Sequence, residues 1–96
     1  MYLLNVSYVR PPTDVQPHVA PHGAWVMAQF SSGTFLLAGP KPSGLGGAIV
    51  ARAIDRAALQ ALLATDPYVI ADVAEYQVIE FACKATSPVL ASLVES

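Results

Sequence analysis

Two apolar patterns of different period alternate along this chain, and their order restricts the folds that it can adopt. Period-two alternation or β-branched runs, typical of strands, occur in four segments: 2–9, 34–38, 48–53 and 75–83. Helical spacing of apolar residues occurs in two segments, at 20–31 and around Leu59, Leu62 and Leu63. The predicted order is therefore strand, helix, strand, strand, helix, strand.

Proline, glycine and aspartate mark the boundaries of these segments. Proline cannot donate to a strand ladder, so the pair after Arg10 ends the first strand. Pro21 lies near the start of the first helix and Gly33 just past its end, as capping preferences require. Residues 41–47 have the composition of a hairpin turn, and Asp55 suits the N-cap of the second helix. A short second helical piece is predicted after Asp66, to about residue 72.

This order is that of the split βαβ, or ferredoxin-like, unit, in which two helices cover one face of a four-stranded antiparallel sheet. The strands are apolar on both sides, and the chain is 54% hydrophobic but only 12% charged. A domain of 96 residues cannot bury so much apolar surface alone. We therefore expect two sheets to pair face to face in a homodimer or a larger assembly. The domain is predicted at 1–84, with a tail at 85–96 that forms a short helix or packs on a partner.

Composition also disfavours several classes of protein. Residues 15–40 carry no Asp, Glu, Lys or Arg, but prolines, glycines and histidines interrupt them, so no membrane span is predicted. The first residues show no basic leader, and we expect a cytoplasmic protein. A net charge of −2 with five scattered basic residues disfavours nucleic acid as a partner. Cys83 is the only cysteine, which excludes an internal disulfide, and its apolar strand predicts a buried side chain.

His18 and His22 are the only imidazoles, and almost nothing else in the chain could move a proton near neutral pH. Their spacing of four would suit two metal ligands on a helix, but a third ligand is missing, so neither a metal nor a cofactor is predicted. The alternative for His22 is a structural hydrogen bond in or near the core, beside Trp25.

Asp66 and the glycines near residue 46 each have a structural interpretation as well. An aspartate before a proline that begins a helix is an N-cap. The run at 44–47 is too short for a dinucleotide loop and no helix follows it, so a turn is the simpler interpretation. Its backbone amides could still contact a bound anion.

Several motifs in order resemble the YCII-related (YciI-like) family over nearly the whole chain, from Met1 to about Lys84. The motifs are Tyr8-Val9-Arg10-Pro11, His22 with Trp25-Val26, the strand from Gly33 through Ala38-Gly39-Pro40, Gly46-Gly47-Ala48-Ile49, and Asp66-Pro67-Tyr68. The resemblance implies a dimeric α+β barrel, related in architecture to muconolactone isomerase-type proteins. It also implies a site built from His22 and Asp66, with lyase-like chemistry such as elimination of chloride from a chlorinated hydroquinone. Pro21 and Gly23, on either side of the histidine, depart from a smoothly helical motif.

The leading hypothesis is a small enzyme of the proton-transfer type, an isomerase or lyase, acting on a small cyclic or aromatic compound. His22 is the expected general acid or base, and Asp66 the residue that orients its ring. The pocket is expected to be lined by Tyr8, Trp25, Phe35, Gly39, Pro40, Gly46 and Gly47. Two alternatives remain: a non-catalytic module that binds a small ligand through His22, and a purely structural partner subunit.

Overall fold

The computed structural model describes residues 1–95, and its elements follow the predicted order with additional short helical pieces. The strands are β1 (Tyr2–Tyr8), β2 (Phe35–Pro40), β3 (Gly46–Ala51) and β4 (Ala74–Glu80). The helices are α1 (Pro12–Val15), α2 (Val19–Ser32), α3 (Arg56–Leu63) and α4 (Pro67–Ile70). Two 3₁₀ segments cover Gln16–His18 and Pro88–Leu93.

The four strands form one antiparallel sheet in the order β2-β3-β1-β4. This strand order and the βαββαβ connectivity are those of the ferredoxin-like fold, so the predicted fold class is confirmed. Side chains from α2 and α3 pack against the same face of the sheet, where β1 contributes Tyr2, Leu4 and Val6 to the core. Burial alternates along β1, as expected for a strand with one covered face.

The face of the sheet opposite the helices is apolar at one end and polar at the other. The strand registers align Leu37, Val50, Leu3 and Ile79 in one row across all four strands. Leu37 and Ile79 are exposed in this row. The adjacent row carries Asn5 hydrogen-bonded to Gln77, so the expectation of strands apolar on both sides holds for only part of this open face.

Helix α2 begins and ends where proline and glycine permit. Pro17 lies in the 3₁₀ segment before the helix, and Pro21 lies in its first turn, where its missing amide is not needed. Gly33 caps the other end with a left-handed φ of 80°. At α3 the Asp55 carboxylate accepts hydrogen bonds from Ala57 N and Ala58 N, as its predicted N-cap role requires.

The hairpin between β2 and β3 is tighter than the composition of residues 41–47 predicted. Strand β2 runs through Pro40, which is tolerated because β2 is an edge strand. Strand β3 begins at Gly46, where φ is 147° and a Cβ would lie 2.0 Å from Val6 O. Only glycine fits this close approach to β1. The two glycines at 46 and 47 therefore belong to the sheet rather than to an open loop.

The end of the described chain returns to the start of β1. The Met1 ammonium donates to Phe81 O at 2.9 Å and to Glu95 Oε1 at 2.8 Å. Cys83 N donates to Glu95 Oε2, and Cys83 itself is buried. The hydrogen bond from the ammonium lowers the pKa of Glu95. Ser96, the last residue of the predicted tail, lies outside the described residues.

Strand β4 ends at Glu80 rather than near residue 83, the end predicted from the sequence. Phe81 still exchanges two backbone hydrogen bonds with Met1 in the β1–β4 register, but Cys83 bonds to Glu95 instead of to a neighbouring strand. Among residues 1–95, no helix has the length and apolar character needed to cross a membrane.

Candidate functional site

The site begins with a contact between residues 44 positions apart in the sequence. His22 lies in the first turns of α2, and Asp66 precedes α4. His22 Nδ1 lies 2.7 Å from Asp66 Oδ1. His22 keeps 17% of its side-chain surface exposed, whereas that of Asp66 is fully buried. The fold therefore joins a partly accessible imidazole to a carboxylate shielded from solvent.

Asp66 is held by three donors, which explains how a carboxylate can be fully buried. Its Oδ1 accepts from His22 Nδ1 and, at 2.9 Å, from the Tyr68 amide. Its Oδ2 accepts from the Tyr76 hydroxyl. The bond to the Tyr68 amide is the N-cap of α4, so the predicted capping role and the contact with His22 are both present in one side chain. A buried carboxylate needs such partners because its desolvation is costly.

Aromatic rings fix the orientation of the imidazole. The Tyr68 ring stacks on His22 with centroids 3.8 Å apart and planes 4° from parallel. The Tyr68 hydroxyl lies 3.5 Å from the hydroxyl of Tyr8 on β1. Burial, and then the contact with Tyr8, raises the pKa of the Tyr68 phenol, so Tyr68 remains a neutral donor at physiological pH.

Tyr76 is a site residue that the sequence analysis did not single out. It lies on β4 and pairs in register with Val6. The period-two pattern of β4 places Tyr76 on the same face as Val78, and this pattern is the only signal in the sequence that could have pointed to it. Burial, and then its hydrogen bond to Asp66, raises the pKa of the Tyr76 phenol. Tyr76 is therefore protonated and able to donate.

A cavity of about 460 Å³ opens beside His22, between α2 and the β2–β3 side of the sheet. It is lined by Val6, Tyr8, His22, Gly23, Val26, Met27, Phe30, Ala38, Gly39, Pro40, Gly46, Gly47, Ala48, Ile49 and Tyr68. Its polar side chains are one imidazole and two phenols. Of the described residues, no Asp, Glu, Lys or Arg is in this lining.

The predicted pocket residues separate into two groups. Five of them line the cavity together with His22: Tyr8, Gly39, Pro40, Gly46 and Gly47. Trp25 and Phe35 lie outside the lining, because their rings pack edge-to-face at 5.4 Å within the core. The Trp25 indole also donates to Thr65 Oγ1 at 2.9 Å, which turns it away from the cavity. Asp66 lies outside the lining as well, where it contacts His22 Nδ1.

Sequence reasoning did not anticipate the parts of the lining that depend on helix rotation. Val26, Met27 and Phe30 of α2 face the cavity, and Tyr68 does so from α4. His18 lies outside the lining, at the end of the 3₁₀ segment before α2. Within residues 1–95, no group of three or more His, Cys, Asp or Glu side chains is arranged to hold a metal ion.

The arrangement sets which nitrogen of His22 can react. An ionised carboxylate only accepts hydrogen bonds, so Nδ1 carries the proton that Asp66 accepts. The neutral ring then presents an unprotonated Nε2, which no described residue engages. Since His22 lines the cavity, Nε2 is available to a bound molecule. Chemically, the site can accept one proton on Nε2 and stabilise the resulting imidazolium through Asp66.

Comparison with known proteins identifies one family and several solved chains of similar structure. The family model described as "YCII-related domain" matches residues 1–82. No curated protein matches the chain. Among solved structures, the chain is similar to 5-chloro-2-hydroxyhydroquinone dehydrochlorinase from Burkholderia phenoliruptrix, solved in complex with 2,5-dihydroxybenzoquinone. The TM-score is 0.68 at 17% identity, and the match covers 84% of this chain and 93% of that one, so this likeness concerns the fold.

Proposed function

We propose that this chain, which belongs to the YCII-related family, is an enzyme of the proton-transfer type, an isomerase or a lyase. Its substrate is a small cyclic or aromatic compound bound in the cavity beside His22. The observation that carries the proposal is the 2.7 Å contact between His22 Nδ1 and the buried Asp66 carboxylate, at the wall of an apolar cavity. A histidine that only stabilised the core would not need an accessible ring beside such a cavity.

In the proposed mechanism, His22 Nε2 takes a proton from the substrate. The electron pair of the broken bond forms a new double bond in the substrate. In a lyase, a leaving group departs with its own electron pair from the neighbouring atom. In an isomerase, the imidazolium returns the proton to a different atom. Asp66 stabilises the imidazolium in either case and keeps the reactive nitrogen toward the substrate.

Tyr8 and Tyr68 supply the neutral donors for a substrate oxygen. Their hydroxyls lie 3.5 Å apart at the cavity, where a carbonyl or hydroxyl group of the substrate could accept from them. Gly46 and Gly47 are less suited to this role, because they lie in β3, which pairs with strands on both sides. The uncharged lining favours a substrate without a phosphate or a carboxylate.

The dehydrochlorinase of similar structure suggests the first compounds to test. That protein is named for 5-chloro-2-hydroxyhydroquinone and was solved with 2,5-dihydroxybenzoquinone. We would measure chloride release from the first compound and binding of the second by calorimetry. A panel of uncharged hydroxylated and keto ring compounds would be screened in D₂O, where proton abstraction from carbon is detected as loss of a proton NMR signal.

With a compound that reacts, His22→Asn should lower kcat by roughly 100- to 10,000-fold, because the general base is lost. Asp66→Asn should cause a loss of similar order, because an amide does not hold the required tautomer. His18→Asn is the matched control and should retain wild-type turnover. Turnover by His22→Asn within a few-fold of wild type would contradict the catalytic role. If the wild type binds compounds of the panel but turns none of them over, the result would favour the non-catalytic module.

We also propose that the protein is a homodimer in which the open sheet faces of two copies meet. The apolar row from Leu37 to Ile79 supports this, because it places one aliphatic residue on each of the four strands and leaves Leu37 and Ile79, on the two edge strands, exposed. The cytoplasmic location and the domain boundary at residue 84 stay predictions.

A further inference from the structure

A donor outside the predicted His–Asp pair completes the hydrogen bonding of the buried carboxylate. The Tyr76 hydroxyl donates to Asp66 Oδ2, whereas His22 Nδ1 and the Tyr68 amide both bind Oδ1. Tyr76 is thus the one described residue bonded to the second oxygen. Asp66 has no exposed surface, so bulk water does not reach Oδ2 as an alternative donor.

Among the residues that the structure describes, the Tyr76 hydroxyl forms no other hydrogen bond. Its ring packs against the core from β4, which a phenylalanine at this position would also do. The hydroxyl adds only the bond to Asp66. Because the two carboxylate oxygens are rigidly linked, a donor that fixes Oδ2 also fixes the direction in which Oδ1 points toward the imidazole.

We propose that Tyr76 is a positioning residue for the proposed general base. Its hydroxyl aims the Asp66 carboxylate at His22 and lowers the affinity of the His22–Asp66 pair for a proton. The role deepens the proposed function and rests on it, since the pair is the proposed catalytic unit. Tyr76 does not touch the cavity and acts only through Asp66.

The direction of the effect follows from charge. A hydrogen bond to Oδ2 stabilises the full negative charge of the carboxylate. Without it, the charge is less stabilised, and the pair binds an added proton more tightly, whether that proton resides on Nε2 or on the carboxylate. Loss of the Tyr76 hydroxyl therefore raises the apparent pKa at which the pair takes up one proton.

The titratable groups around Asp66 are few. His22 faces it from α2, Tyr68 from α4 and Tyr76 from β4, and Tyr8 of β1 is connected through the Tyr68 hydroxyl. In the part of the chain that the structure describes, no Lys or Arg forms an ion pair with Asp66. The phenol pKa of Tyr68 and of Tyr76 is raised by burial, so these two groups stay neutral while a histidine titrates, and the measured change reflects the His22–Asp66 pair.

The test is an NMR titration of the imidazole signals in the wild type and in Tyr76→Phe, which needs no substrate. We expect the apparent pKa of His22 to rise by about one unit in Tyr76→Phe, the size expected for a lost bond to a charged group. His18 gives an internal reference in the same spectra. Tyr2→Phe is the matched control, because it removes another buried hydroxyl, bonded to Ile54 O at 2.7 Å, and should leave His22 unchanged.

An apparent pKa of His22 in folded Tyr76→Phe that coincides with the wild-type value overturns the inference. If Tyr76→Phe does not fold, the same NMR titration is done with 3-fluorotyrosine at position 76, whose more acidic hydroxyl is a stronger hydrogen-bond donor. The expected shift is then downward, and an unchanged or raised value overturns the inference. A shifted titration together with normal turnover by His22→Asn would instead contradict the proposed function while leaving the Tyr76–pair coupling in place.

Discussion

At the scale of single residues, Gly23 is a glycine in the interior of a helix and next to the proposed catalytic histidine. It lines the cavity, and a Cβ built at this position meets nothing within 4 Å. Glycine within a helix costs stability because it loses more conformational freedom on folding than alanine does. The residue therefore keeps space beside His22 at the expense of helix stability.

Gly23→Ala should raise the free energy of unfolding by about 0.5–1 kcal/mol and weaken ligand binding in the cavity. Urea denaturation and calorimetry with 2,5-dihydroxybenzoquinone measure the two effects. Ala28→Gly is the reverse control on an exposed part of α2 and should lose a similar amount of stability without changing binding. A Gly23→Ala variant less stable than the wild type would contradict this account of the helix.

At the scale of elements, capping decides where the second half of the chain becomes helical. Both α3 and α4 begin after an aspartate whose carboxylate accepts backbone amides, Asp55 and Asp66. Only Asp66 also binds a side chain from another element, His22. Asp55 therefore isolates the contribution of the cap alone.

Asp55→Ala should lower the free energy of unfolding by about 1 kcal/mol, because two amides at the start of α3 lose their acceptor. Chemical denaturation provides the measurement. Asp14→Ala, at an exposed position in α1, is the control and should have little effect. Equal losses in the two variants would contradict the capping role.

The elements and their order could be predicted because each depends on local sequence. Period-two runs predict strands, Gly33 predicts the end of α2, and Asp55 predicts the start of α3. Each signal depends only on neighbouring residues in the chain, and the structure agrees with all three. The ends of β2, β3 and β4 could not be placed as well, because they depend on partners distant in sequence. Gly46 joins the sheet through its approach to Val6, and Cys83 leaves the predicted strand because it bonds to Glu95.

The site follows the same division. The motifs identified His22 and Asp66 as site residues. They did not identify Tyr76, because its hydroxyl reaches Asp66 only when β4 pairs with β1 beside α4. Trp25 and Phe35 are aromatic residues within the motifs, yet the rotation of α2 directs Trp25 into the core, where it packs on Phe35. Rotation of a helix about its axis is a tertiary property that single-sequence periodicity does not determine.

At the scale of the whole molecule, the apolar row on the open face leads to a prediction about assembly. Ile79→Lys should weaken the proposed dimer by at least about 100-fold, because a charge would be buried between the two sheets. Sedimentation velocity measures the change. Ile70→Lys is the matched control, since Ile70 is 72% exposed on α4 and Ile79 is 55% exposed on β4. A wild type that sediments as a monomer at all concentrations would contradict the proposal.

The contact between Glu95 and the Met1 ammonium predicts how stability varies with acidity. The pKa of Glu95 is lowered in the folded protein, so its contribution is present above the ordinary carboxyl pKa and is lost as pH falls through the folded value. Glu95→Gln should therefore lower the thermal midpoint near neutral pH, and the difference from the wild type should vanish once the pH falls below the lowered pKa of Glu95. Glu75→Gln, at an exposed position on β4, is the control. A difference that persists unchanged in acid would contradict the role of this ion pair.

The uncharged lining of the cavity has a consequence for how a molecule arrives there. Because no charged side chain among residues 1–95 lines the cavity and the proposed substrate is uncharged, long-range attraction does not accelerate the encounter, and binding depends on diffusion and on transfer of the ring out of water. The association rate should then be nearly independent of ionic strength, and the affinity should increase with the hydrophobicity of the compound that enters.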